Sequence, residues 1–276
     1  MVSVVQLGTI DYTAGLQLQE KLVELRKADL IPDVLLLLEH TPVITLGRNA
    51  KAANILTAPE LLAARGVQVF ECNRGGDVTF HGPGQLVAYP IFDLRSHISA
   101  LPGRKTLGVI EFVRRLEDVL METCAGFEIP TQRLAGLTGV WTTGRPSTEL
   151  QSSGTSPDSP EAEAESKIAA IGVHISRGVT SHGLALNVNT DLDYFKLIIP
   201  CGISSKPVTS IAKELGRHVA MAEVVDAVVR NFASIFKTEV HEGDSLETLL
   251  GNDVGIPMRP PTDLRKLRGE EETFWA

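Results

Sequence analysis

The sequence predicts an α+β fold: a mixed, mainly antiparallel sheet flanked by helices. Two observations carry this expectation. Apolar runs of strand length recur at 2–7, 34–40, 67–72, 85–94 and 167–188, with helical periodicity between them at 12–28, 106–126 and 222–237. The two kinds of segment do not alternate strictly, which argues against an all-parallel βαβ arrangement.

Taken in order, VSVVQL (2–7) reads as a strand, and Asp11 is placed to cap a helix over 12–28. VLLLLEH (34–40) is apolar almost without a break, the pattern of a strand buried on both faces. TPVITLG (41–47) predicts a neighbouring strand after a turn at Thr41 and Pro42. Pro59 opens a short helix that Gly66 closes. In 106–126, Val109, Ile110, Val113, Leu116, Val119 and Leu120 fall at helical spacing, with Cys124 as a packed core thiol one turn on. LTGVWTT (137–143) is a short strand, and 167–175 with 177–188 read as a hairpin. SIAKELG (210–216) and 222–237 are helical.

Residues 144–166 are Ser, Pro, Thr, Glu and Gly with hardly any large apolar side chain. Such a segment buries too little surface to offset its ordering entropy, so a disordered insertion is expected there. The main domain then spans 1–240, and 241–276, with three prolines and a basic DLRKLRGE run, reads as a peripheral tail. A net charge of -8 disfavours nucleic-acid binding. The longest apolar run, VLLLL, is too short to cross a bilayer. The N-terminus has neither a secretory nor an organellar targeting pattern. Three scattered cysteines make no disulfide framework and favour a reducing compartment.

The densest chemistry lies in CNRGGDVTFHGPGQ (72–85), which reads as a polar, glycine-bent loop between two buried strands. A plain hairpin is the simpler account of the same glycines. It has neither the GK[ST] ending of a P-loop nor the G-x-G-x-x-G of a dinucleotide fold. Cys201 sits in a Pro-Cys-Gly turn, off any helix face. A nucleophilic thiol there needs a cation or base, for which Lys167, Lys206, His81, His174 and His182 are candidates. His81, His174, His182 and Cys201 are also zinc-ligand types, but no spacing sets two of them on one element.

RGGDVTFHGPGQLVAYPIFDL, KIAAIGVHISRGVTSHGLALNV and IIPCGI, in that order, resemble the octanoyltransferases of lipoate biosynthesis over roughly residues 2–237. The resemblance implies the α+β catalytic module of lipoate and biotin protein ligases, with Cys201 and Lys167 as the catalytic pair. The acyl-binding stretches it implies are Arg74, Gly75, Gly76, Asp77, Val78, Thr79, Phe80 and His81, then Ala170, Ile171 and Gly172, then Gly183, Leu184 and Ala185. Phe80 stands where the family usually has Tyr, keeping an aromatic wall without the hydroxyl. The insertion is longer than in bacterial members, and VTSHGLALN with NTDL resembles the mitochondrial branch, implying a matrix location, or otherwise the cytoplasm.

The implied partners are octanoyl-acyl carrier protein as donor and, as acceptors, lipoyl domains of 2-oxoacid dehydrogenase E2 subunits and glycine cleavage H protein. No cofactor, metal, nucleic acid or membrane is implied, and a monomer is expected. Docking of acidic partners on an acidic chain calls for a local basic face, Arg104, Lys105, Arg114 and Arg115 or else Lys206 and Arg217. The rival readings are an ATP-dependent lipoate ligase, which needs no cysteine nucleophile, and a non-catalytic lipoyl-domain-binding module. A cysteine hydrolase lacks its usual His and Asn or Asp ordering here.

Overall fold

Val2–Ile10 forms β1, and Asp11 turns the chain into α1 (Tyr12–Lys27) by accepting the Ala14 N–H at 2.9 Å. β2 (Asp33–His40) then runs through the middle of the molecule. Successive strand side chains alternate. Leu35 and Leu37 therefore enter one apolar core, while Val34, Leu36 and Leu38 enter another. The expectation of a strand buried on both faces holds. The structure is a computed structural model that describes residues 1–144, 165–202, 206–242 and 246–250, apart from the side chains of Cys201, Glu242, Glu247 and Thr248.

β3 (Val43–Leu46) departs from the sequence reading. It leaves the main sheet and forms a second one, pairing in parallel with β4 (Gln68–Glu71) and antiparallel with β5 (Val78–His81) after the short helix α2 (Pro59–Ala64). β5 corrects the reading of 72–85 as one loop. Its VTFH is wholly buried, and glycines and polar residues on either side hid a strand only four residues long. Ile44, Val78 and Phe80 from this sheet pack on Leu62, Val67, Phe195, Leu197 and Ile198.

β6 (Gln85–Ile91) returns to the main sheet beside β2. α3 (Val109–Gly126) crosses one face with Phe112, Leu116, Val119, Leu120 and Cys124 inward, so the expected packed thiol is found. Val109 and Ile110 are a correction. They begin the helix beyond the edge of the core and are 49% and 78% exposed, whereas Leu116 is 0% exposed. β7 (Thr131–Leu134), unread in the sequence, pairs with β8 (Leu137–Thr142). The expected hairpin is β9 (Lys167–Ser176) with β10 (Val179–Asn187).

α4 (Ile211–Leu215) and α5 (Met221–Phe236) follow, α5 packing beside α3. β11 (Val240–Glu242) adds to β1, and Leu250 of α6 (Leu246–Leu250) joins the core beneath α1. The main sheet runs β11-β1-β2-β6-β10-β9-β8-β7. β1 is parallel to β2 and β11, and every pairing from β2 onward is antiparallel. The expected α+β class is thus observed. The expected disordered insertion at 144–166 lies outside the described residues except for 144, 165 and 166, as does the tail after 250 with its basic run.

The altered reading of α3 has a measurable consequence. Leu116→Ala should cost about 2–5 kcal/mol, because the core cannot collapse fully onto the lost methyls. Ile110→Ala should cost less than about 0.5 kcal/mol. Urea denaturation of both variants checks this, and equal losses would show that Ile110 is packed.

Candidate active site

A cavity of about 310 Å³ opens between the two sheets. One wall is the β9–β10 hairpin, which contributes Lys167, Ala170, Ile171 and Gly172 from one strand and Gly183, Leu184 and Ala185 from the other. The opposite wall is the glycine-rich segment with Arg74, Gly75, Gly76, Asp77, Thr79 and His81. The three stretches that the sequence singled out therefore meet at one place. The approach is close because Gly172 has no side chain: a Cβ there would lie 2.7 Å from the Gly75 carbonyl oxygen.

Val78 and Phe80 do not line this cavity. They were expected as acyl-binding residues, Phe80 as an aromatic wall, and the geometry corrects that placement. β5 alternates, so Thr79 and His81 face the cavity while Val78 and Phe80 face the core of the second sheet. Phe80 stacks on Tyr194 there, with ring centroids 4.6 Å apart.

Arg74 is buried, and its guanidinium spans neutral oxygens. It donates to the Thr45 carbonyl at 2.6 Å, to Thr45 Oγ1 at 2.9 and 3.1 Å, and to the Gly75 carbonyl at 3.0 Å. It thereby ties the glycine-rich segment to β3. Asp77 uses both carboxylate oxygens locally, accepting from Asn54 Nδ2 at 2.6 Å and from Val78 N–H at 2.7 Å. The Asn54 carbonyl accepts the Ile199 N–H at 2.7 Å, and Ile199 accepts the Gly202 N–H at 3.1 Å. Asp77 is thus linked to the turn Pro200–Gly202, whose backbone carries Cys201.

Lys167 lies where the parts converge. It lines the main cavity and also a narrow recess of about 10 Å³, shared with Thr79, Ala170, Ala185 and Pro200. Its backbone is clamped by the chain that follows the cysteine turn. Lys167 N–H donates to the Pro207 carbonyl at 2.8 Å, and its own carbonyl accepts the Thr209 N–H at 3.0 Å.

The buried histidines around the cavity, His81, His40 and His182, stay uncharged. Burial pushes His81 down to about 3, with His40 and Arg74 adding to the effect. Burial also takes His40 to about 4, and burial with Arg74 and His174 takes His182 to about 3. Gln85 fixes the His81 tautomer. Its Nε2 donates to the Phe80 carbonyl and to Asn187 Oδ1, so its Oε1 accepts the His81 Nδ1–H at 2.7 Å. His81 Nε2 is left as an acceptor. This fits a pocket-shaping residue better than a charged acid.

Tyr12, Tyr89, Gly136 of the β7–β8 turn, and Leu137 and Thr138 at the start of β8 also line the cavity and were not anticipated. In the sequence Tyr12 only opens the helix expected over 12–28, and Leu137 and Thr138 only open the strand expected over 137–143; neither pattern marks a cavity wall. Behind Tyr89, its hydroxyl donates to His40 Nε2 at 2.7 Å. Of the cations expected to form a docking face, Arg114, Arg115 and Lys206 are ion-paired with Glu117, Glu111 and Glu165. Among the described residues no cluster of His, Cys, Asp and Glu is arranged to hold a metal ion, and no helix is long and apolar enough to cross a membrane.

Comparison with known proteins agrees with this layout. The lipoyl protein ligase A/B catalytic domain matches residues 11–233. An octanoyltransferase of Koribacter versatilis is 55% identical over 98% of this chain and 98% of its own length. One from Acidobacterium capsulatum is 51% identical over 87% of this chain and 92% of its own. These relatives are bacterial and give the mitochondrial expectation no support. The bipartite lipoate protein ligase of Thermoplasma acidophilum shares the fold, with a TM-score of 0.59 at 14% identity, covering 88% of this chain and 85% of that one. With the stretches at 74–81, 170–172 and 183–185 meeting at one cavity and relatives matched over nearly its full length, the chain belongs to the lipoyl protein ligase A/B catalytic-domain family and, within it, to the octanoyltransferases.

Proposed function

We propose that the chain transfers an octanoyl group from acyl carrier protein to a lysine of a lipoyl domain, through a thioester on Cys201. The observation that carries this reading is the junction at Lys167. The lysine and Pro200 of the cysteine turn border one recess, and that recess adjoins the cavity walled by the glycine-rich segment and the β9–β10 hairpin.

The chemistry follows in two halves. The Cys201 thiolate attacks the carbonyl of the donor thioester, a new C–S bond forms, and the pantetheine sulfur leaves and takes up a proton. One thioester replaces another, so the step needs no separate energy source. The amine of the acceptor lysine then attacks the Cys201 thioester. A C–N bond forms, the C–S bond to Cys201 breaks, and the amine proton passes to a base. Lys167 suits both halves: as ammonium it stabilises the thiolate, and as amine it takes the proton.

The cavity suits a neutral acyl chain. A volume of about 310 Å³ lies within the range of small-molecule sites, about 300–1,000 Å³. Ala170, Ile171, Leu184 and Ala185 offer apolar surface, and the neighbouring histidines carry no charge that the chain would have to desolvate. Burial at about 0.8 kcal/mol per CH₂ gives an eight-carbon chain several kcal/mol of binding. The bacterial relatives favour the cytoplasm as the place of reaction.

Cys201→Ala should abolish octanoyl transfer to a lipoyl domain, and Cys201→Ser should reduce it nearly as far. Normal turnover by the alanine variant would end the covalent scheme. Lys167→Arg keeps the cation but offers no usable base, so kcat should fall by about 10²–10⁴-fold, the usual worth of general-base catalysis. A wild-type rate would restrict Lys167 to an electrostatic role.

The buried histidines also set an acid limit on stability. Their folded values lie below the ordinary 6.5, so the unfolded chain binds more protons. Their stabilising effect is complete above pH 6.5 and is lost as pH falls from there toward 3–4, by up to about 1.4 kcal/mol per pH unit for each histidine. Urea midpoints should therefore drop between pH 7 and 5, and His182→Gln should flatten the slope. A midpoint constant over that interval would contradict the neutral, buried histidines.

A further inference from the structure

Lys167 begins β9 opposite Trp141 of β8, and the register changes between those two positions. Val140 pairs with Ala169, but Trp141 pairs with Lys167, so Ile168 is the extra residue of a β-bulge. Such a bulge bends its strand and re-aims the side chains beside it. Lys167 Nζ lies 5.1 Å from the centroid of the Trp141 ring, within cation–π range.

The indole is buried, at 1% exposure, and its Nε1–H has no hydrogen-bond partner among the described residues. A buried donor left unsatisfied is a cost, and it is carried here on the residue whose ring face meets the lysine.

The lysine stem is confined from another side by Gly139. This residue has φ +118°, and a Cβ there would lie 2.8 Å from Lys167 Cε and 2.6 Å from the Ala169 carbonyl oxygen. Only glycine leaves that lane open. The Gly139 N–H is held by the carboxylate of Glu117, buried on α3, at 3.3 Å. Lys206 Nζ lies 5.9 Å from the same indole centroid, and its charge is matched by Glu165 at 2.5 Å.

We infer that Trp141 is a positioning residue for acyl transfer: its ring face, together with the bulge at Ile168 and the bare lane at Gly139, fixes the Lys167 ammonium between the cavity and the cysteine turn. This inference rests on the catalytic role proposed above for Lys167. A lysine side chain has many rotamers, and each one that points away from the turn removes the group from the reaction. Trp141 acts through the lysine and does not itself line the cavity.

Trp141→Phe keeps an aromatic face, whereas Trp141→Leu keeps apolar bulk alone. With octanoyl-acyl carrier protein as donor and a lipoyl domain as acceptor, the phenylalanine variant should keep kcat within about threefold of wild type. The leucine variant should lose about tenfold or more, with donor KM within about twofold, as expected for loss of a desolvated cation–π contact. Both should melt at similar temperatures. Equal kcat for the two variants would overturn the inference, whether both stay active or both fail. Lys167→Ala measured beside them separates the two levels. If it is inactive while the Trp141 variants match each other, only the positioning role falls; if it is fully active, the catalytic reading of Lys167 falls first.

A second measurement does not depend on the leucine variant folding. The chain has two tryptophans, so Trp275→Phe leaves Trp141 as the single indole. In that background Lys167→Met should shift the indole emission. An unchanged spectrum would mean that the ring does not sense the ammonium, and the inference would fail.

Discussion

The backbone clamp on Lys167 is the constraint on which the site depends. The first residue of β9 donates to Pro207 and accepts from Thr209, two positions that follow the cysteine turn. This short parallel bridge joins the sheet to the segment after Pro200–Gly202. The same segment is tied to the sheet a second time, because Asn187 Nδ2 donates to the Thr209 carbonyl at 2.9 Å. Asn187 in turn accepts from Gln85, which fixes His81. One run of hydrogen bonds thus links the lysine, the chain after the cysteine and the cavity wall. Buried polar groups linked in this way are expected to respond together to a change at any one of them.

Around that junction the fold separates two tasks. The β9–β10 hairpin and the glycine-rich segment enclose a cavity with no formal charge on its histidines, which suits an alkyl chain. Charge is kept to particular places. Arg74 is used up on the oxygens of Thr45 and Gly75, Asp77 on Asn54 and backbone N–H groups, and Lys167 stands at the boundary with the recess. The glycine-rich segment therefore acts as scaffold and wall. In the reaction proposed above, bond making falls to the lysine and the turn.

Much of this was legible in the sequence because it rests on local patterns. The unbroken apolar run at 34–38 required two covered faces, and cores on both sides of β2 supply them. The return of apolar sequence at KIAAIGVHI marked the strand that begins at Lys167. What could not be read depends on pairing between distant segments. VITL carries no mark saying that it leaves the main sheet for β4 and β5. VTFH is a strand only because β3 pairs with it, and that pairing turns Val78 and Phe80 away from the cavity. Val109 and Ile110 satisfy the helical period of α3, but period alone does not say where the core ends. Trp141 read as one more apolar position on a short strand, since its relation to Lys167 arises from a bulge in the partner strand.

The acyl-enzyme itself is the species to look for. Full-length protein mixed with octanoyl-acyl carrier protein in the absence of a lipoyl domain, quenched in acid and analysed by intact mass and peptide mapping, should carry one octanoyl group on the peptide containing Cys201. The group should be released when a lipoyl domain is added. An unmodified chain under conditions that support turnover, or an octanoyl group on Cys72 or Cys124 instead, would contradict the assignment of the turn at 200–202 as the transferring site.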